Sequence, residues 1–193
     1  MSGPLDAGRF RSREGGPSFP LRHRLLRLAW GLVWLGLARW TPVPCHGWRR
    51  LLLRAFGARI DATARIYPSA RIWYPPNLVM RAHSCLAGRV DCYAMDRIEL
   101  GRYATVSQGA VLCGGSHDID SASFQLFTRP ILIGDHAWIA AEAFVGPGVT
   151  VGAGAVLGAR GVAFRDLEPA TVYAGNPARR LRMRRLGAPD APG

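Results

Sequence analysis

The sequence predicts a mainly-β chain: a parallel β-helix built of hexapeptide repeats, with an amphipathic helix before it and a short basic tail or helix after it. Three observations carry this. An aliphatic residue returns every six positions, at Ile60, Ile66, Ile72 and Leu78, at Leu100, Val106 and Leu112, and at Ile133, Ile139, Val145, Val151 and Leu157. Glycine or alanine follows it in every rung of the last run. Charge is pushed to the two ends: residues 1–60 carry 11 arginines against Asp6 and Glu14, residues 61–175 carry 9 against 10 acids, and residues 176–193 carry 5 against Asp190. Six is not a helical period and is too long for plain strand alternation. It suits short strands joined by tight corners, with the aliphatic side chain inward and small residues in the crowded interior. Three hexapeptides make one triangular coil, and coils stack as parallel strands about 4.8 Å apart. The period itself sets no hand, and the general crossover rule favours the right-handed one.

Taken in chain order, residues 1–19 (MSGPLDAGRFRSREGGPSF) are rich in Gly, Ser, Pro and Arg and predict a disordered tail. No apolar run follows the first arginines directly, as a signal peptide would require. Residues 20–57 predict a helical segment. Within it, 21–40 (LRHRLLRLAWGLVWLGLARW) has a charge-free run of only 11 residues, Leu28 to Ala38, and a membrane span needs about 20. The helix either packs on its own domain or lies in a membrane interface, with Trp30, Trp34 and Trp40 at headgroup depth and Arg22, Arg24, Arg27 and Arg39 on anionic lipid. TPVP (41–44) ends it. Residues 58–168 predict the β-helix, interrupted by a loop at 113–130, and 169–193 a C-terminal extension. Hydrophobic residues make up 49% of the chain, enough for a core, which excludes global disorder. All 25 basic residues are arginine and the net charge is +12. Basic ends suit anionic lipid or a phosphorylated ligand. No nucleic-acid recognition module is visible, so nucleic acid is not expected as a partner. The four cysteines form no CxxC pair and read as free thiols of a reducing compartment.

VLCGGSHDID (111–120) breaks the beat and puts His117 in a loop carried by a rigid scaffold, where sites tend to sit. An imidazole there can take a hydroxyl proton at neutral pH. Asp118, Asp120 or a backbone carbonyl could orient it. Ser116 as a nucleophile is a minor alternative.

The run IGDHAWIAAEAFVGPGVTVGAGAVLGARGV resembles the hexapeptide-repeat acyltransferases. HGWRRLLLRAFGARI (46–60), SHD (116–118), WIAAEAFVGPGV (138–149), GARGV (158–162) and AGNPAR (174–179) bring it closest to the O-acetyltransferases of bacterial exopolysaccharide synthesis, the colanic-acid-type branch. The resemblance spans about residues 20–185. It implies a left-handed coil and acetyl-CoA as co-substrate. It implies a saccharide acceptor, free or lipid-linked, and direct transfer in a ternary complex with His117 as general base. Trp138, Ala141 and Ala159 would meet the donor's thioester and arm, and Arg165 and Arg179 its phosphates. It further implies a homotrimer. The thiols suit the cytoplasm, and the apolar, basic 21–40 helix fits contact with the inner membrane face. Two other readings stay open: transfer to another acceptor (serine, an antibiotic or an amino sugar) and a non-catalytic β-helix scaffold. Some coils of this architecture hold a catalytic zinc on three histidines. That pattern wants a second histidine five residues after the loop one, where this chain has Ala122, so no metal is expected.

Overall fold

The computed structural model describes residues 3–185. From Arg59 to Ala174 the chain winds into a coil of about six turns walled by three parallel sheets. The first wall stacks the strands Arg59–Ile60, Leu78–Met80, Ile98–Leu100, Ile131–Ile133 and Thr150–Val151. The second stacks Arg65–Ile66, Cys85–Leu86, Thr105–Val106, Trp138–Ile139, Val156–Leu157 and Thr171–Ala174. The third stacks Arg71–Ile72, Asp91–Tyr93, Val111–Cys113, Phe144–Val145 and Val162–Ala163. The six-residue beat is the inward register: Ile66, Leu100, Val106, Leu112, Ile139, Val145, Val151 and Leu157 are wholly buried.

The register also shows where the beat slips. Ile60 pairs with Met80, not Leu78. The inward series runs on through Met80, Leu86 and Cys92, hidden in the sequence because Met and Cys stand where the template has aliphatics. The step from Ile72 to Met80 is eight residues, from Cys92 to Leu100 eight, and from Leu112 to Ile133 twenty-one. All three long steps fall at one corner, where the third wall turns into the first. That corner is thickened in three successive coils. The other corners stay tight. His83, Tyr103 and His136 all hold φ near +58° at one of them and stack their rings, with centroids 4.7 and 4.9 Å apart.

Tight stacking leaves no room at Gly134. A Cβ there would lie 2.6 Å from the Ala153 nitrogen and 2.9 Å from its Cα, and backbone cannot move aside cheaply. Gly134→Ala is expected to cost about 2 kcal/mol and to lower the thermal midpoint by about 4–8 °C. An unchanged melting curve would mean that the coils can separate locally at little cost.

Three helices precede the coil: α1 (Ala7–Phe10), α2 (Leu21–Val33), which continues as one wide turn over Trp34–Ala38, and α3 (His46–Ala55). α2 with its wide turn and α3 close the open end of the first coil. Its lowest strands have a row of carbonyls with no coil beneath to bond them, and side chains from the helices supply the donors. Arg54 donates to the Ile60 carbonyl at 2.8 Å, Arg50 to Ala64 at 2.9 Å, Arg49 to Ile66 at 2.6 Å, Trp34 to Ala70 at 3.0 Å and Trp30 to Ile72 at 2.7 Å. A solenoid needs such an end cap, because a bare strand edge templates pairing with other chains.

The two ends of the chain depart from three expectations. Trp30 and Trp34 are buried against the coil rather than placed for a headgroup layer; only Trp40 of the three stands exposed. The reason is the indole N–H, which finds a carbonyl on the coil edge. Residues 1–19 are not a loose tail throughout. Ala7 and Phe19 are buried, the Asp6 carboxylate caps α1 by accepting from the Arg9 N–H at 2.9 Å, and Gln125 on the loop accepts from the Ala7 N–H at 2.7 Å. Composition cannot reveal a docking partner more than a hundred residues away. At the other end Arg179–Met183 is a strand, not a tail or helix. It pairs antiparallel with Thr171–Ala174 and covers the free edge of the last coil. Residues 186–193 of the expected extension lie outside the described residues.

His23 on α2 is buried between Phe19 and Tyr74, with ring centroids at 4.5 and 4.0 Å. Burial, and then the nearby Arg27 charge, hold its pKa down at about 4. The unfolded chain takes this proton near pH 6.5, the folded chain only near 4. The folded state therefore keeps its full stability above pH 6.5 and loses about 2 kcal/mol of it as pH falls from 6.5 to 4. His46, also lowered by burial, acts in the same direction. His23→Phe should flatten the slope of urea midpoint against pH in that window; an unaltered slope would place the acid sensitivity elsewhere.

Candidate active site

At the thickened corner the third coil leaves its wall as a hairpin, Gly115–His117 antiparallel to Leu126–Thr128, with His117 opposite Leu126. A Cβ on Gly115 at its base would sit 2.5 Å from the Met95 sulfur and 3.2 Å from the Phe127 carbonyl oxygen, so a larger residue there would push the Met95 side chain aside. At the tip Phe124 takes φ +53° and folds back over the histidine. The two rings stack at 4.3 Å, tilted by 9°. The Phe124 carbonyl lies 2.8 Å from His117 Nδ1. A carbonyl can only accept, so Nδ1 carries the hydrogen and Nε2 keeps its lone pair. That is the tautomer of a proton acceptor. Of the three candidate orienting groups, the backbone carbonyl does the work. The Asp118 carboxylate instead accepts from the Asp120 N–H at 3.0 Å, which shapes the turn.

His117 lines a cavity of about 290 Å³ with Phe19, Arg27, Trp73, Tyr93 and Met95. A second cavity of about 300 Å³ at the same corner is lined by Tyr74, Asn77, Asp96 and Thr128. Sequence reasoning missed these walls. The available signal was the pair of eight-residue steps: Trp73, Tyr74 and Asn77 lie in one, and Tyr93, Met95 and Asp96 in the other. Asn77 Nδ2 donates to the carbonyls of Ala94 and Met95 at 3.1 and 3.0 Å, so each enlarged corner braces the next. Burial raises the Tyr93 pKa, with the Cys113 thiol acting in the same sense, so the phenol stays protonated as a donor.

The other expected site residues are elsewhere on the chain. Trp138 stands exposed on the second wall, and its indole N–H donates to Ser107 Oγ at 2.8 Å. Ala141 and Ala159 occupy the corner between the second and third walls in consecutive coils. The Ala141 carbonyl accepts from the Arg160 N–H at 2.9 Å. Arg179 opens the capping strand opposite Ala174, one level higher on the second wall. These four climb one side of the coil. His117 is at the next corner, across the third wall, and Arg165 is exposed near the top of that same corner. Within one chain, therefore, the cavity that holds His117 is lined by none of Trp138, Ala141, Ala159 and Arg179. Nor do any three His, Cys, Asp or Glu side chains among the described residues gather as a set that could hold a metal ion.

No family model matches the chain. It is 39% identical over 155 residues to WcaF of Escherichia coli K12, named as a colanic acid biosynthesis acetyltransferase; the match covers 80% of this chain and 85% of that protein. Among solved structures it is similar to a maltose O-acetyltransferase from Clostridium difficile 630, with a TM-score of 0.77, 23% identity and coverage of 86% and 90% of the two chains. It is similar also to the hexapeptide-repeat acetyltransferase VCA0836 of Vibrio cholerae in complex with acetyl coenzyme A, with a TM-score of 0.74, 24% identity and coverage of 86% and 90%. These two likenesses concern the fold and settle its hand as left-handed. A repeat that sets the inward register, a coil of this shape and an extended match to WcaF agree: the chain belongs to the hexapeptide-repeat acetyltransferases and is an acyltransferase.

Proposed function

We propose that the protein transfers an acetyl group from acetyl-CoA to a hydroxyl of a saccharide, free or lipid-linked, destined for an exopolysaccharide, with His117 as general base. The observation that carries this is the Phe124 carbonyl on His117 Nδ1, which leaves Nε2 as the proton acceptor on a cavity wall. Nε2 takes the proton of the acceptor hydroxyl as its oxygen attacks the thioester carbonyl; the carbon–sulfur bond breaks, and the imidazolium returns the proton to the leaving thiolate. Transfer is direct, in a ternary complex. The wide corner beside His117 suits a sugar, with aromatic faces at Trp73 and Tyr93 and polar groups at Asn77 and Asp96.

Trp138, Ala141, Ala159 and Arg179 line the donor path on the opposite side of the third wall, and Arg165 reaches its phosphates from the top of the His117 corner. A homotrimer would bring them to His117: the donor face of one copy would meet the His117 corner of the next. The outward face of α2 carries Leu21, Leu25, Leu28, Leu32 and Leu35, all more than half exposed, with Arg22, Arg24 and Arg39 beside them and no acid from residue 15 to residue 60. An anionic bilayer complements that face in both polarity and charge. No helix among the described residues is long and apolar enough to cross a membrane. The four free thiols fit the cytoplasm, where acetyl-CoA is made.

The test is release of coenzyme A thiol from acetyl-CoA with a panel of acceptors. Saccharides with free hydroxyls should support turnover; transfer only to amines or to an antibiotic hydroxyl would overturn the saccharide assignment.

A further inference from the structure

The cavity at His117 has a neighbour. A groove of about 560 Å³ runs between α2 and the third wall, lined by Leu28, Leu35, Arg39 and Arg71 along its length. It shares Arg24, Arg27, Trp73 and Tyr93 with the His117 cavity, so the two adjoin with those residues at the junction. Arg27 lies over the Trp73 ring, its Cζ 4.3 Å from the centroid, and its buried Nε has no hydrogen-bond partner among the described residues. None of the ion pairs among the described residues involves Arg24, Arg27 or Arg39. The one acid on the groove wall, Asp91, faces Arg71 at 3.8 Å. Four guanidinium groups thus meet one carboxylate. A half-buried cation with an unused donor is costly unless an anion arrives. The planar fork of arginine suits phosphate oxygens, and more than one cation favours a group with more than one charge.

We infer that this junction is a phosphate subsite: the saccharide whose hydroxyl meets His117 carries a phosphate ester or diphosphate, held by Arg27 and Arg24. The inference rests on the acetyl-transfer reading of His117. The sugar lies in the wide corner, the phosphate at the arginines, and whatever the phosphate is joined to runs along the groove toward Leu28 and Leu35. A nucleotide and a lipid carrier both present that phosphate.

The experiment titrates inorganic pyrophosphate into the full chain by calorimetry at low salt, with coenzyme A in excess to fill the donor's own phosphate contacts. Binding is expected, weakened about tenfold or more by Arg27→Gln and about threefold by Arg24→Gln, and unchanged by Arg11→Gln, which alters only an exposed pair with Glu14. Arg24 is exposed, so its variant still reads the subsite if Arg27→Gln unfolds. Equal pyrophosphate affinity in the wild type and Arg24→Gln overturns the subsite, whatever the transfer assays give. Absence of acetyl transfer to every saccharide, with arginine-dependent pyrophosphate binding intact, overturns the function and upholds the subsite. Farnesyl diphosphate and uridine diphosphate then separate the carriers. Tighter farnesyl diphosphate, with the gain lost in Leu28→Gln, identifies a lipid carrier, and tighter uridine diphosphate a nucleotide; either result upholds the phosphate.

Discussion

Replacing His117 with alanine is expected to lower kcat for acetyl transfer by about 10²–10⁴-fold, the range for loss of a positioned general base. The effect should fall on kcat and not on donor affinity, because four of the five residues expected to hold the donor are on another face of the coil and Arg165 is near the top of the corner, beyond the coil that carries His117. The fold should survive: His117 is on a hairpin outside the stacked walls, and its ring contacts Phe124 of the same hairpin. Added imidazole should restore part of the rate by entering the space the ring leaves beside Phe124. A variant that melts as the wild type does, binds coenzyme A and turns over at an undiminished rate would remove His117 from the chemistry. The wall residues predict a different signature. Trp73→Ala should raise KM for the acceptor more than it lowers kcat, since an aromatic face binds substrate and transition state alike.

The coil was legible because each rung states its register through one buried side chain. Where that residue is aliphatic the beat is plain; at Met80 and Cys92 it is masked, although both are buried. His117 was legible for a related reason, since a loop that breaks a repeat is conspicuous. The walls of its cavity were not, because Trp73 and Tyr93 join His117 only through the corner register of three successive coils. The partner of His117 was beyond sequence reading altogether. A backbone carbonyl leaves no trace in residue identity, and the neighbouring aspartates were the more visible candidates. The orientation of α2 was equally hidden. Its leucines and tryptophans are all apolar, and only the carbonyls waiting at the coil edge decide that Trp30 and Trp34 turn inward while the leucines face out.

Arg49→Met is expected to cost about 3 kcal/mol. Arg49 is wholly buried, and its guanidinium donates to the Ile66 carbonyl at 2.6 Å, to Thr41 Oγ1 at 2.7 Å, to the Pro42 carbonyl at 3.0 Å and to the Val43 carbonyl. It fastens α3, the 41–43 turn and the bottom of the second wall to one another. Methionine would relieve the desolvation of a buried charge, which favours the variant by several kcal/mol; that burial already lowers the pKa of Arg49. Against this, four hydrogen bonds from a charged donor are lost, at about 1.5–3 kcal/mol each. Pro42 and Val43 lie on an exposed turn and can recover water, and the Ile66 carbonyl keeps His46 Nδ1 at 2.9 Å, so the loss is chiefly that of the fastening between the three elements. The lost bonds outweigh the relieved charge. The loss should appear as a fall in thermal midpoint of about 6–12 °C. Arg49→Lys should recover a minor part of it, since a single ammonium cannot reach acceptors on three elements. Arg22→Met, on the exposed face of α2, should stay within about 0.5 kcal/mol of the wild type. Equal stability of Arg49→Met and Arg22→Met would mean that the helices need no polar fastening and that leucine packing alone closes the coil.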